Sequence, residues 1–186
     1  MTREMTRLSK FLSLVLRHDP GCIGLSLNRH GWASVSDLMA LAHKKGTQIT
    51  TTQLEEVVAD NDKKRFAFND DHTQIRASQG HSIDIDLGLP PRVPPAIVYH
   101  GTTVRFLDRI RKEGLNSQRR KHVHLSPDKI TATAVGKRHG TPVVIPVKAG
   151  EMHKKGGVFY LSDNNVWLTH SVPIEFIDWK GLEYPL

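Results

Sequence analysis

Apolar residues in the first third of the chain recur with a helical period. Leu8, Phe11, Leu12, Val15 and Leu16 fall at i, i+3, i+4, i+7 and i+8, an amphipathic stripe that predicts a helix ending near Arg17. Ser34, with Asp37 three residues on, resembles a capping box and opens a helix over Leu38 and Leu41 that Gly46 stops. Thr52 and Glu55 repeat the signature ahead of Leu54, Val57 and Val58. The period then changes to two. Phe66 and Phe68 alternate, Asn69-Asp70-Asp71 turns the chain, and Ile75 and Ala77 alternate back. Three short helices followed by a hairpin is the order of a winged-helix domain.

Four prolines, Pro90, Pro91, Pro94 and Pro95, interrupt the pattern and predict a stiff, extended connector. Beyond it, short apolar runs predict strands at 97–99, 122–125, 143–147, 158–161, 166–168 and 174–177. Helices are expected over Leu107 and Ile110, stopped by Gly114, and over 128–135. The expected class is therefore α+β, with a mixed or antiparallel sheet in the second half. The expected division is a lobe at 1–87, a linker at 88–96 and a lobe at 97–186.

The 186 residues contain no apolar run near the ~20 residues of a membrane span. The segment Met1-Thr2-Arg3-Glu4-Met5 lacks the apolar core of a secretory signal. Cys22 is the only cysteine, which excludes internal disulfides and thiolate metal clusters. A cytoplasmic protein without membrane association is expected, and a monomer. The net charge of +7 is unevenly placed. Residues 1–92 carry 12 Lys/Arg against 11 Asp/Glu, and residues 93–186 carry 14 against 8. The run from Arg105 to Lys121, with Arg109, Arg111, Lys112, Arg119 and Arg120, suits a polyanion or a phosphate-rich cofactor, although charge alone equally describes a solvated basic face.

Four segments concentrate Arg, His and small polar residues beyond what packing demands. In Leu16-Arg17-His18-Asp19-Pro20, Arg17 and His18 sit where the first helix ends, and by themselves read as a cationic helix cap. In Ile75-Arg76-Ala77-Ser78-Gln79-Gly80-His81-Ser82, alternation turns Arg76 away from the core, and Gly80 permits a sharp exit. Gln79, His81 and Ser82 then offer donors to an anion, or simply form a polar loop. Tyr99-His100-Gly101-Thr102 is expected at a strand end, where Gly101 admits a ligand to the backbone and Thr102 caps the next helix. Arg120-Lys121-His122-Val123-His124-Leu125-Ser126 puts His122 and His124 on one strand face. With no Cys or carboxylate beside them, anion recognition fits better than metal binding, so no metal is expected.

Together, in this order and spacing, these segments resemble the RNA 2′-phosphotransferase family of the KptA type. The likeness begins at Leu8-Ser9-Lys10-Phe11-Leu12-Ser13, takes in Gly31-Trp32 and Lys64-Arg65-Phe66, and runs to about Ile177. Asn28 and His30 depart from it, standing where acidic residues are expected. The resemblance implies an RNA-binding winged-helix lobe and an NAD-binding lobe of the ADP-ribosyltransferase fold. It implies removal of an internal 2′-phosphate from RNA, the family's link to tRNA splicing, with NAD as co-substrate. The phosphate first expels nicotinamide from NAD. The ribose 2″-hydroxyl then attacks phosphorus, giving 2′-OH RNA and ADP-ribose 1″,2″-cyclic phosphate through an RNA 2′-phospho-ADP-ribose intermediate.

The family's essential residues map onto Arg17, His18, Arg76 and Arg120, the last because only Arg120 fits Arg-x-His-x-His. On this reading Arg17, His18, Arg76, Gln79, His81 and Ser82 hold the substrate phosphate. His100, Gly101, Thr102, His124 and Ser126 hold NAD. His100 and His124 resemble the first two positions of the transferase triad, and Val166 stands where protein-modifying relatives often carry Glu. An anionic nucleophile needs no general base and would be repelled by that carboxylate. Two alternatives remain open in the sequence: an NAD-dependent ADP-ribosyltransferase acting on protein or nucleic-acid ends, and a non-enzymatic winged-helix nucleic-acid binder.

Overall fold

A computed structural model of the chain describes residues 2–59, 64–118 and 120–185. The chain divides into two compact units, Met1–Gly88 and Leu89–Leu186.

The first unit opens with α1 (Arg3–Arg17), started by Thr2, whose hydroxyl accepts the Met5 N–H at 3.2 Å. Its stripe of Met5, Leu8, Leu12, Val15 and Leu16 is buried, as the spacing requires. A 3₁₀ turn, Pro20–Ile23, follows, then β1 (Ala33–Ser34), α2 (Val35–Lys44), α3 (Thr51–Ala59), β2 (Phe66–Phe68) and β3 (Gln74–Ala77). The three strands form an antiparallel sheet in the order β1-β3-β2, with Ala33 opposite Ile75 and Phe66 opposite Ala77. Leu12, Leu16, Leu38, Leu54 and Ile75 meet in the core and are fully buried. At about 1.5–3 kcal/mol for each large apolar side chain buried, this cluster dominates the unit's stability.

Ser34 caps α2 as its sequence predicts, accepting the Asp37 N–H at 3.2 Å. The cap of α3 lies two residues earlier than Thr52 and Glu55. Thr50 Oγ1 accepts from Gln53 N at 3.2 Å, and Gln53 Oε1 accepts from Thr50 N at 2.9 Å, a reciprocal capping box. Thr52 and Glu55 are ordinary exposed helix residues.

The second unit contains β4 (Val98–Thr103), a 3₁₀ turn, α4 (Leu107–Glu113), β5 (Leu115–Asn116), β6 (Val123–Leu125), α5 (Lys129–Gly136), β7 (Pro142–Val147), α6 (Ala149–Lys154), β8 (Tyr160–Leu161), β9 (Trp167–Thr169) and β10 (Ser171–Val172). Every strand pairing among the described residues is antiparallel: β4 with β7, β5 with β10, and β9 between β6 and β8. β7 is buried along its whole length, because β4 covers its edge while α5 packs on the pair.

Two expectations are corrected here. Ile174–Phe176 is a 3₁₀ turn after Pro173 rather than a strand, and only Ile177 bridges to Val147. His100-Gly101-Thr102 lies inside β4, not at its end, so Thr102 pairs with Val143 and caps no helix. The proline-rich stretch lies along the second unit, where Pro91 bridges to Tyr160 and Arg92 N donates to Phe159 O at 2.8 Å.

Candidate functional site

In the first unit the cationic residues gather where α1 stops. His18 is the helix C-cap, its N–H donating to Leu14 O, which agrees with the helix-cap reading without exhausting it. The Arg17 carbonyl accepts from Ser82 N at 2.9 Å, and Arg17 Nη2 donates to the Arg65 carbonyl at 3.1 Å. Its guanidinium lies 5.7 Å from the Phe66 ring centre. His18 Nδ1 lies 2.9 Å from Ser82 Oγ.

Period-two alternation does turn Arg76 away from the core that takes Ile75 and Ala77. Its guanidinium stacks 4.6 Å over the Trp32 ring, and Nη1 donates to Leu87 O at 3.3 Å. Asn28 sets that ring: its Oδ1 accepts from His30 N and Trp32 N at 2.9 and 3.1 Å. Gly80, at φ +87°, then turns Gln79–Ser82 back over the end of α1, a conformation L side chains rarely adopt.

His81 is the buried centre of this arrangement, 4% exposed. Burial first, then the positive charges of Arg17, His18 and Arg76, push its pKa down to about 4, against a hydrogen bond with the Leu16 backbone. His81 is therefore neutral near pH 7. Its Nε2 and the Oε1 of Gln79 are buried with no hydrogen-bond partner among the described residues. Positive groups converging on a neutral imidazole, with planar Arg forks held by aromatic rings, form a cradle for a multiply charged anion.

The second unit brings together another set. His100 Nδ1 lies 3.1 Å from the His124 carbonyl; a carbonyl only accepts, so Nδ1 carries the proton and Nε2 is the acceptor. Burial holds the His100 pKa below its ordinary value despite that bond. Ser126 joins the same strands, its backbone exchanging bonds of 2.6 and 2.9 Å with Tyr99. His122 and His124 flank buried Val123 and are half-buried, with His122 in ring contact with Tyr160 and His170. Val166 precedes β9 and is tied through its N–H to Ser162 Oγ at 3.1 Å.

A Cβ at Gly101 would lie 1.9 Å from the Ala132 carbonyl, so the glycine lets α5 sit against β4. Arg120 is exposed just before β6, and desolvation first, then neighbouring Arg138, lowers its pKa. Arg119 lies outside the described residues.

Sequence reasoning alone did not single out Trp32 and Phe66 as supports for Arg76 and Arg17, or the Arg65 carbonyl as an anchor. The available signal was their place in short Gly-Trp and Lys-Arg-Phe clusters, which an aromatic-core reading absorbs equally well.

The family model for "RNA 2′-phosphotransferase, Tpt1 / KptA family" matches residues 2–171. The chain belongs to the Tpt1/KptA family. A probable RNA 2′-phosphotransferase of Flavobacterium johnsoniae is 53% identical over 174 residues, covering 94% of this chain and 96% of the relative. One of Agrobacterium fabrum is 54% identical over 172 residues, covering 92% of each chain. One of Burkholderia pseudomallei is 50% identical over 176 residues, 95% of this chain and 96% of its own. The Tpt1/KptA match spans the cluster around His81 as well as the His100 and His124 strands.

Proposed function

We propose that this protein removes an internal 2′-phosphate from RNA and passes it to NAD. The reading gives 2′-OH RNA, nicotinamide and ADP-ribose 1″,2″-cyclic phosphate. The observation that carries it is the convergence of Arg17, His18 and Arg76 on buried His81, an anion cradle in a member of a family named for RNA 2′-phosphate transfer.

Arg17, His18, Arg76 and Arg120 are assigned to the phosphoryl chemistry, with Gln79, His81 and Ser82 orienting the phosphate. In the first step a 2′-phosphate oxygen forms a bond to the nicotinamide-bearing ribose carbon as the bond to nicotinamide breaks. The phosphate is already anionic and needs no general base, in keeping with Val166 where protein-modifying relatives often carry Glu. In the second step the ribose 2″-oxygen bonds to phosphorus and the bond to the RNA 2′-oxygen breaks. The hydroxyl proton passes to that leaving oxygen. His18, held through Nδ1 by Ser82, is oriented to carry it, and Arg forks stabilise the charge accumulating at phosphorus.

NAD supplies the electrophilic ribose carbon. The polar set on β4 and β6 suits it: an acceptor at His100 Nε2 and hydroxyls at Thr102 and Ser126 match the donors and acceptors of ribose and carboxamide. Gly101, between His100 and Thr102 on β4, is assigned to the same site, and it also lets α5 pack on β4. We further propose action without a metal, as a monomer, in a reducing cytoplasm. Among the described residues no helix is long and apolar enough to cross a membrane.

The test is incubation with an RNA carrying one internal 2′-phosphate, with and without NAD, and intact-mass analysis. The expected RNA is lighter by one phosphate only when NAD is present. An RNA of unchanged mass, with NAD consumed or not, would overturn the proposal.

A further inference from the structure

The polar positions of α1 form a second pattern that the phosphate site leaves unused. Thr6, Lys10 and Ser13 lie on one side of the helix, at i, i+4 and i+7, with exposed Leu14 beside them, and the C-cap His18 closes the end of that side. A pocket of about 360 Å³ opens beside them, lined by Thr6, Ser9, Lys10, Ser13, Leu14, His18 and Arg65. Leu14 is 43% exposed there, a large apolar side chain with no place in the core. Ser13 donates its hydroxyl to the Ser9 carbonyl at 2.8 Å, so that polar group is already satisfied within the helix. No carboxylate lines the pocket.

An apolar floor under a rim of two or three cations matches one chemistry well, a base and ribose with their backbone phosphate. His18 decides where that nucleotide belongs, because it lines this pocket and its Nδ1 also lies 2.9 Å from Ser82 Oγ in the phosphate cradle. From Lys10 to His18 the helix rises about 12 Å, room for the neighbour of the phosphorylated nucleotide. We propose that this pocket on α1 binds the RNA nucleotide adjoining the 2′-phosphorylated one, with Lys10 and Arg65 on its phosphate and Leu14 under its base. The proposal rests on the 2′-phosphate reading of the cradle. It makes Lys10 and Leu14 determinants for polynucleotide over mononucleotide substrates.

The test measures binding to the full chain, without NAD, of three probes: a 2′-phosphorylated trinucleotide, the same trinucleotide without that phosphate, and a nucleoside 2′-phosphate. The wild-type protein is expected to bind the phosphorylated trinucleotide at least tenfold more tightly than either other probe. In Lys10→Glu, and in Ser13→Phe, which fills the pocket, its advantage over the nucleoside 2′-phosphate is expected to fall about tenfold. Circular dichroism melts show whether each variant folds; if Ser13→Phe does not, Lys10→Glu with Leu14→Asn supplies the comparison. An unchanged advantage in folded variants overturns the pocket and leaves the cradle standing. A wild-type protein indifferent to the 2′-phosphate overturns the cradle reading, and the pocket with it.

Discussion

Arg76 leaves the solvent side of β3, lies over Trp32 and reaches the Leu87 carbonyl, so its plane is set before a substrate arrives. Removing the ring in Trp32→Ala costs about 0.5–1 kcal/mol of that ordering, and phosphate affinity is expected to fall about two- to fivefold. On the function proposed above, Arg76→Ala and His18→Ala act on the chemistry itself. Both are expected to slow the second step more than the first, so that an RNA 2′-phospho-ADP-ribose species accumulates on a denaturing gel. His100→Ala instead lowers nicotinamide release and builds up no such species. If His18→Ala stops nicotinamide release altogether, His18 acts in the first step and its assignment here fails. His81 has its own signature. Unfolded, it titrates near 6.5; folded, near 4. The unfolded chain therefore binds the extra proton between those values. Stability from this site is complete above pH 6.5 and is lost as pH falls toward 4, by an amount on the order of 3 kcal/mol. In His81→Gln, the pH dependence of the urea midpoint is expected to flatten across that window. Arg17, His18 and Arg76 were visible in the sequence as charged residues at helix and strand ends. The burial of His81 was not, because it depends on Gly80 folding the loop back.

At the scale of elements, legibility followed length and period. α1 and α2 carry full apolar stripes, and their positions in the sequence match the structure. β5, β10 and α6 span two, two and six residues, too short for any period to register, and they exist because a distant partner pairs with them or packs on them. The run 174–177 is apolar enough for a strand, but Pro173 and the bond from Phe176 N to Pro173 O wind it into a turn. Caps give a sharp test of the corrected start of α3. Thr50→Ala is expected to destabilise the first unit by about 1 kcal/mol, while Thr52→Ala changes it by only a few tenths. Equal effects in denaturant titrations would contradict the Thr50–Gln53 box. Gly101 is a second test. With the Ala132 carbonyl 1.9 Å from any Cβ, Gly101→Ala forces α5 off β4 at a cost of about 1–3 kcal/mol or more. A stable, inactive Gly101→Ala protein would instead favour the ligand-approach role read from the sequence.

For the molecule as a whole, the composition told less than the constellations did. The excess positive charge of residues 93–186 describes any polyanion binder, and Arg105, Arg109 and Arg111 lie on or beside an exposed helix where Asp108 and Glu113 partly pair them. The function proposed above requires Arg17, His18 and Arg76 in addition to His100 and His124, whereas a protein-modifying transferase working through the second unit would not. Turnover is expected to persist after exhaustive chelation, since arginine forks supply the positive potential; loss with EDTA and recovery with a divalent ion would contradict this. The central claim is the route of one phosphorus atom. An RNA labelled with ³²P at a single internal 2′-phosphate, incubated with the protein and NAD, is expected to yield the label in ADP-ribose 1″,2″-cyclic phosphate, with one nicotinamide released per label. Label recovered as inorganic phosphate, or retained on the RNA while ADP-ribose is transferred to protein, would contradict it.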